Sequence, residues 1–173
     1  MNDKSNALKV PKARLAVEMK LCGRDARKVE LFVSDQRLHA SQRKTVLELI
    51  EGPDHFVPAQ DRETGEWLLV NREELSWVAL AQPAGADSDT DEIELFDQRF
   101  FVRAELNDGT ALDGELLFSS PATGRRVVDH LNRGERFFFL FQSDRVVAIN
   151  KASVTAVVER PADEQTGAPG GED

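Results

Sequence analysis

Three histidines, one cysteine and a scatter of carboxylates are the residues whose types could do chemistry in this chain. His39, His55 and His130 are far apart in sequence, and Cys22 is alone. A structural zinc site needs several such ligands at short spacing, so no metal is expected, and a single cysteine rules out an internal disulfide. Asp129 and His130 are adjacent. Neighbours on a helix do not face each other, and acid–base work needs a convergent partner that the sequence does not supply. His130 is therefore expected at the surface, and His55, beside Phe56 at a strand start, is expected to be structural. There is no Gly-x-Ser-x-Gly, phosphate-binding glycine loop or His-Glu-x-x-His. The expectation is no catalytic residue, no cofactor and no enzyme.

Candidates for binding are basic residues and asparagines. Arg125, Arg126, Arg133 and Arg136 flank one helical segment, and Arg43 and Lys44 flank another. Such clusters could meet phosphate. The competing reading is a solvated helix face near Asp129 and Glu135, with the long stems lying over apolar neighbours, and it is preferred. Asn71-Arg72 and Asn150-Lys151 each fall between two strand-like runs. The functional reading is a ligand-facing loop. The preferred one is a tight turn in which asparagine bonds its own backbone. Asn71, Arg72, Asn150, Lys151, Arg125 and Arg126 are the candidate interaction residues. Trp67 and Trp77 are expected in a core, since an exposed tryptophan would mark a binding hot spot.

The elements that must position these residues are short. The chain has 173 residues, 40% hydrophobic and 31% charged, enough for one or two compact domains. The longest apolar run, Phe137 to Phe141, is strand-sized and far below a membrane span. Residues 1–12 have no apolar signal core, so a cytoplasmic location is expected. The net charge of −9 is unevenly spread. Residues 82–97 hold six acidic and no basic residues, and residues 161–173 hold four and none. Residues 14–81 carry ten basic against twelve acidic, and residues 98–160 nine against eight. The reading is a loosely ordered start (1–13), a first repeat (14–81), an acidic linker (82–97), a second repeat (98–160) and a disordered acidic tail (161–173). Modules this close to neutral disfavour a nucleic-acid partner.

The two long segments align with each other. Leu21, Glu30, Leu31 and Ser34 fall on Leu106, Glu115, Leu116 and Ser119. Arg43, Val46, Leu49 and Gly52 fall on Arg125, Val128, Leu131 and Gly134. Asn71, Arg72, Leu75 and Val78 fall on Asn150, Lys151, Val154 and Val157. Matched order of polar and apolar residues predicts an internal duplication. The second copy predicts strands at 100–106, 112–118, 137–141, 146–149 and 154–158 and a helix at 124–132. Asn107-Asp108-Gly109 and Thr64-Gly65 predict turns, and Gly114 a bulge or sharp bend. Five short, bent strands per copy predict a small closed or half-closed barrel.

Leu106-Asn107-Asp108-Gly109, four residues, then Gly114-Glu115-Leu116-Leu117-Phe118 resembles the first signature of the Sm-like barrels. Ala148-Ile149-Asn150-Lys151 with Val154 and Val157 is similar to their second. The resemblance also extends to bacterial domains of unknown function, and it is weaker in the first copy. It implies two five-stranded Sm-like (SH3-like) barrels in tandem, each with one short helix. Sm-like proteins that bind RNA carry an acidic residue and an asparagine after the second strand. Here that stretch begins Ser119-Ser120-Pro121, and no glycine follows Lys151 or Arg72. The resemblance thus carries the fold and not the RNA pocket. The expected function is a non-catalytic module for protein–protein interaction or assembly, with a protein partner or a homo-oligomer and no membrane. RNA or other nucleic-acid binding is the alternative.

Overall fold

The computed structural model describes residues 12–34, 41–81, 96–119 and 126–161. It is mainly β and antiparallel throughout. The chain divides into two compact units, Met1–Ala81 and Gln82–Asp173. Most of the acidic linker and tail (82–95, 162–173) lies outside the described residues, as do His39 and Arg125.

The first unit contains β1 (Lys12–Leu21), β2 (Arg27–Ser34), α1 (Gln42–Glu51), β3 (Phe56–Asp61), β4 (Trp67–Asn71) and β5 (Leu75–Ala81). Leu15, Val17 and Met19 are buried on β1, while Arg14 and Ala16, which alternate with them, are exposed. That is the period of two expected of a half-buried strand. Ser41 starts α1: its hydroxyl accepts from the Lys44 N–H at 3.5 Å. Val46, Leu49 and Ile50 then form the buried stripe of the helix. The turn before β4 uses Gly65 at φ +75°, a conformation that side chains resist. Asp61 braces it by accepting from the N–H groups of Glu63 and Thr64 at 2.8 and 3.0 Å.

The second unit contains β6 (Gln98–Leu106), β7 (Ala111–Phe118), α2 (Val127–Leu131), β8 (Phe137–Phe141), β9 (Arg145–Asn150) and β10 (Val154–Arg160). Gly109, at φ +84°, closes the β6–β7 turn. Leu106 N–H donates to the Thr110 carbonyl at 2.8 Å, and Asp108 accepts from Thr110 N–H at 2.8 Å. The helix is shorter than expected, five residues beginning at Val127; Gly124 lies outside the described residues.

Strand order within the first unit is β5-β1-β2-β3-β4, and within the second β10-β6-β7-β8-β9. Each unit thus repeats the other's arrangement, including a short 3-10 turn before its last strand (Arg72–Glu74, Lys151–Ser153). The sheets do not close: no described ladder joins β4 to β5 or β9 to β10. Two local features limit the pairing. Pro58 has no N–H, and the β2–β3 ladder stops at Leu31↔Ala59, one residue short of it. Between β7 and β8 the only described pair is Glu115↔Phe141. Gly114 beside it is not a bulge, because its register with Val102 is unbroken. It is a close approach instead: a Cβ there would meet the Phe141 carbonyl oxygen at 2.9 Å and the Leu140 Cβ at 3.2 Å.

Candidate interaction site

The two asparagines that end β4 and β9 are spent on their own backbone. Asn71 Oδ1 accepts from Glu73 N–H, and Asn150 Oδ1 from Ala152 N–H, both at 3.0 Å. Each starts the 3-10 turn that follows it. Asn150 is 1% exposed, so its amide is closed to a ligand. The basic residues after them differ. Lys151 donates from Nζ to the Arg133 carbonyl at 2.9 Å, bracing the chain just beyond α2. Arg72 is 5% exposed, and its Nε and Nη1 have no hydrogen-bond partner among the described residues. Its backbone N–H donates to the His55 carbonyl at 2.9 Å. Asn71 and Asn150 thus build the turns that follow them, and Lys151 braces its own unit.

On the basic flank of α2, Arg126 and Arg133 have partners within the unit. Arg126 grips Asp129 through Nε and Nη2 at 3.0 and 3.1 Å. That pairing holds the Asp129 carboxyl below its ordinary range. Arg133 Nη1 reaches the Ser119 carbonyl at 3.4 Å. Arg43 is buried in α1. His130 is not a simple surface residue. It is half-buried and stacks on Phe118, with ring centroids 4.3 Å apart and planes 4° from parallel. Phe118 in turn stacks on Phe100. Burial, then the charges of Arg133 and Lys151, push its pKa down. His55 is exposed, its Nδ1 4.0 Å from a Glu73 carboxylate oxygen. No group of three or more His, Cys, Asp or Glu that could hold a metal occurs among the described residues.

The tryptophans separate. Trp77 is buried as expected, but Trp67 is 66% exposed, which corrects the core assignment. Its neighbours explain why. Trp67, Leu69 and Asn71 alternate along β4 with Leu68 and Val70, and Val70 points into the core. On β3, Phe56, Pro58 and Gln60 lie opposite Asn71, Leu69 and Trp67. One face of this hairpin therefore carries Phe56 (56% exposed), Pro58, Leu69 (75% exposed) and Trp67. Trp67 stacks on Phe32 of β2 at 4.7 Å and 20°. Arg14 caps the other part of the Phe32 ring, with its guanidinium carbon 5.4 Å from the centroid, and donates to Glu30 at 3.0 Å. The result is an aromatic and aliphatic face in water, rimmed by polar groups. Such faces on a small protein mark binding surfaces. Sequence reasoning missed Phe56 and Leu69. No local signal pointed to them: Trp67-Leu68-Leu69-Val70 lacks alternation and reads as a strand buried on both faces.

No protein-family model matches the chain, and neither does any curated protein or any solved structure. No helix among the described residues is long and apolar enough to cross a membrane.

Proposed function

We propose that this chain is a non-catalytic, cytoplasmic assembly module, built by duplication of a Sm-like small-barrel unit, that holds a protein partner on the outer face of β3–β4 in its first unit. The observation that carries the reading is the exposed set Phe56, Trp67 and Leu69 on adjacent strands. Leaving side chains of this size in water forgoes roughly 1.5–3 kcal/mol each, and a partner that covers them recovers it. Duplication is supported by the repeated strand order and by the paired asparagine turns. Protein is favoured over nucleic acid because the best basic candidates are engaged internally: Arg126 by Asp129, Lys151 by a carbonyl.

The test is photo-crosslinking in cells, with a benzophenone amino acid at position 69 and, as control, at position 144 in the exposed β8–β9 turn. The expected result is one discrete, protease-sensitive adduct from position 69 only, lost when Phe56 and Trp67 are both changed to serine. A nuclease-sensitive adduct, or no adduct specific to position 69, overturns the reading.

A further inference from the structure

The backbone of β4 says how that partner is held. Asp61 N–H donates to the Glu66 carbonyl, and Arg72 N–H donates to the His55 carbonyl. Antiparallel ladders alternate between bonded and non-bonded pairs. With the register Gln60↔Trp67, Ala59↔Leu68, Pro58↔Leu69, Val57↔Val70 and Phe56↔Asn71, the bonded pairs are those of Leu68 and Val70. Pro58 agrees, since a residue without an N–H belongs opposite a non-bonded partner. The N–H and C=O groups of Trp67 and Leu69, and the N–H of Asn71, therefore point away from β3, along the outer edge of β4 at the end of the first unit's strand order; the Asn71 carbonyl opens the 3-10 turn that follows.

That edge lacks the usual protection. Exposed end strands are blunted by lysine, proline, bulges or inward charges. Trp67-Leu68-Leu69-Val70-Asn71 contains none of these and runs without a register break. The end strand of the second unit, β10, is guarded: its pairing shifts between Val154 and Ala156, and it finishes on Glu159-Arg160. Both ends of β4 are acidic. Exposed Glu63 and Glu66 precede it and exposed Glu73 and Glu74 follow it, against the exposed cations Arg62 and, when protonated, His55.

Resting on the reading of this face as a protein-binding one, we propose that β4 takes up an extended peptide segment of a different protein by strand addition. The segment has alternating apolar side chains and basic residues at both ends. Its backbone pairs with Trp67, Leu69 and Asn71, its apolar side chains cover Trp67 and Leu69, and its basic ends meet Glu66 and Glu73–Glu74. Strand addition takes affinity from the main chain and selectivity from alternate side chains. A second copy of this chain is the poorer occupant: its net charge of −9 opposes self-association, its β10 edge is broken by the register shift, and β4 paired antiparallel with β4 would bring Glu66 of one copy against Glu73 and Glu74 of the other.

The probe is a fluorescent peptide of alternating valine and threonine with two lysines at each end, titrated against the full chain. Saturable binding that weakens with salt is expected. Glutamates in place of the lysines weaken it about tenfold or more. N-methylation of two alternate amides on the pairing edge of the peptide also weakens it about tenfold, because it removes main-chain bonds without touching this protein. Leu69→Pro removes an edge N–H that β3 does not use and does the same, whereas Leu69→Thr, which keeps that N–H, costs less. Equal binding by the N-methylated peptide overturns strand addition, and equal binding by the acidic-ended peptide overturns the charge assignment. A dimer of this chain that the peptide disrupts would make a second copy the occupant. If the peptide fails while the position-69 adduct persists, strand addition falls and the protein-binding reading stands; if both fail, both fall.

Discussion

Arg72 is the most unusual single residue. Burying guanidinium N–H groups without acceptors costs more than their packing returns. Replacing it with methionine keeps the stem and removes the unpaired donors at Nε and Nη1. Arg72→Met is expected to raise stability by about 1 kcal/mol in urea unfolding; a loss would show that a bound water or anion already serves those atoms. His130 supplies a pH dependence. Its pKa in the folded chain lies below the ordinary 6.5, first through burial and then through Arg133 and Lys151, with Glu135 acting weakly the other way and the Arg126–Asp129 pair beside it on α2. The unfolded chain then binds the proton more readily. Stability is full above 6.5 and declines as pH falls through that value towards the folded pKa. His130→Phe, which preserves the stack on Phe118, should flatten this part of the stability–pH curve. An unchanged slope would remove His130 as its source.

At the scale of the element, the repeated Asn-plus-base turns and the glycine turns were legible because the chemistry is local. Asn71, Asn150, Gly65 and Gly109 each act within two to four residues of themselves. Gly114 was legible only as a special strand position. Its actual constraint comes from Phe141 and Leu140, distant in sequence, and no local pattern encodes them. Gly114→Ala should cost about 1–3 kcal/mol, read by thermal or urea unfolding, because the 2.9 Å approach to a backbone carbonyl leaves no flexible atom to yield. A neutral result would mean that β8 can retreat. The aligned position in the first unit is Val29, fully buried, which shows that the first unit accommodates a side chain where the second accepts none.

Across the whole molecule, charge and exposed apolar surface act together. The net charge of −9 opposes self-association at neutral pH, and that charge vanishes near pH 4.9. Acidification also draws on Asp61, whose carboxyl is held below its ordinary range by the Thr64 and Glu63 N–H groups. A depressed carboxylate pKa gives stability above the unfolded value that is lost as pH falls. The chain should therefore be least soluble near pH 4.9, with its apolar face driving association. Trp67→Ser with Leu69→Ser should raise solubility there, measured as the protein remaining after centrifugation. Unchanged precipitation would shift the cause away from this face.

The sequence by itself determined the β-rich class, the turns at Thr64-Gly65, Asn71, Asn107-Asp108-Gly109 and Asn150, and the division of charge between modules and connecting segments, because each depends on neighbours a few residues apart. The tertiary structure alone decided three things. It left the sheets unclosed, since within each unit the first and last strands of the order, β5 and β4 or β10 and β9, are not joined by any described ladder. It tied Lys151 into the fold, since its acceptor, the Arg133 carbonyl eighteen residues away, had to be brought to it. It put Trp67 and Leu69 in water, since an apolar run fixes that a strand forms, and only the place of β4 at the end of its unit fixes how much of that strand is covered.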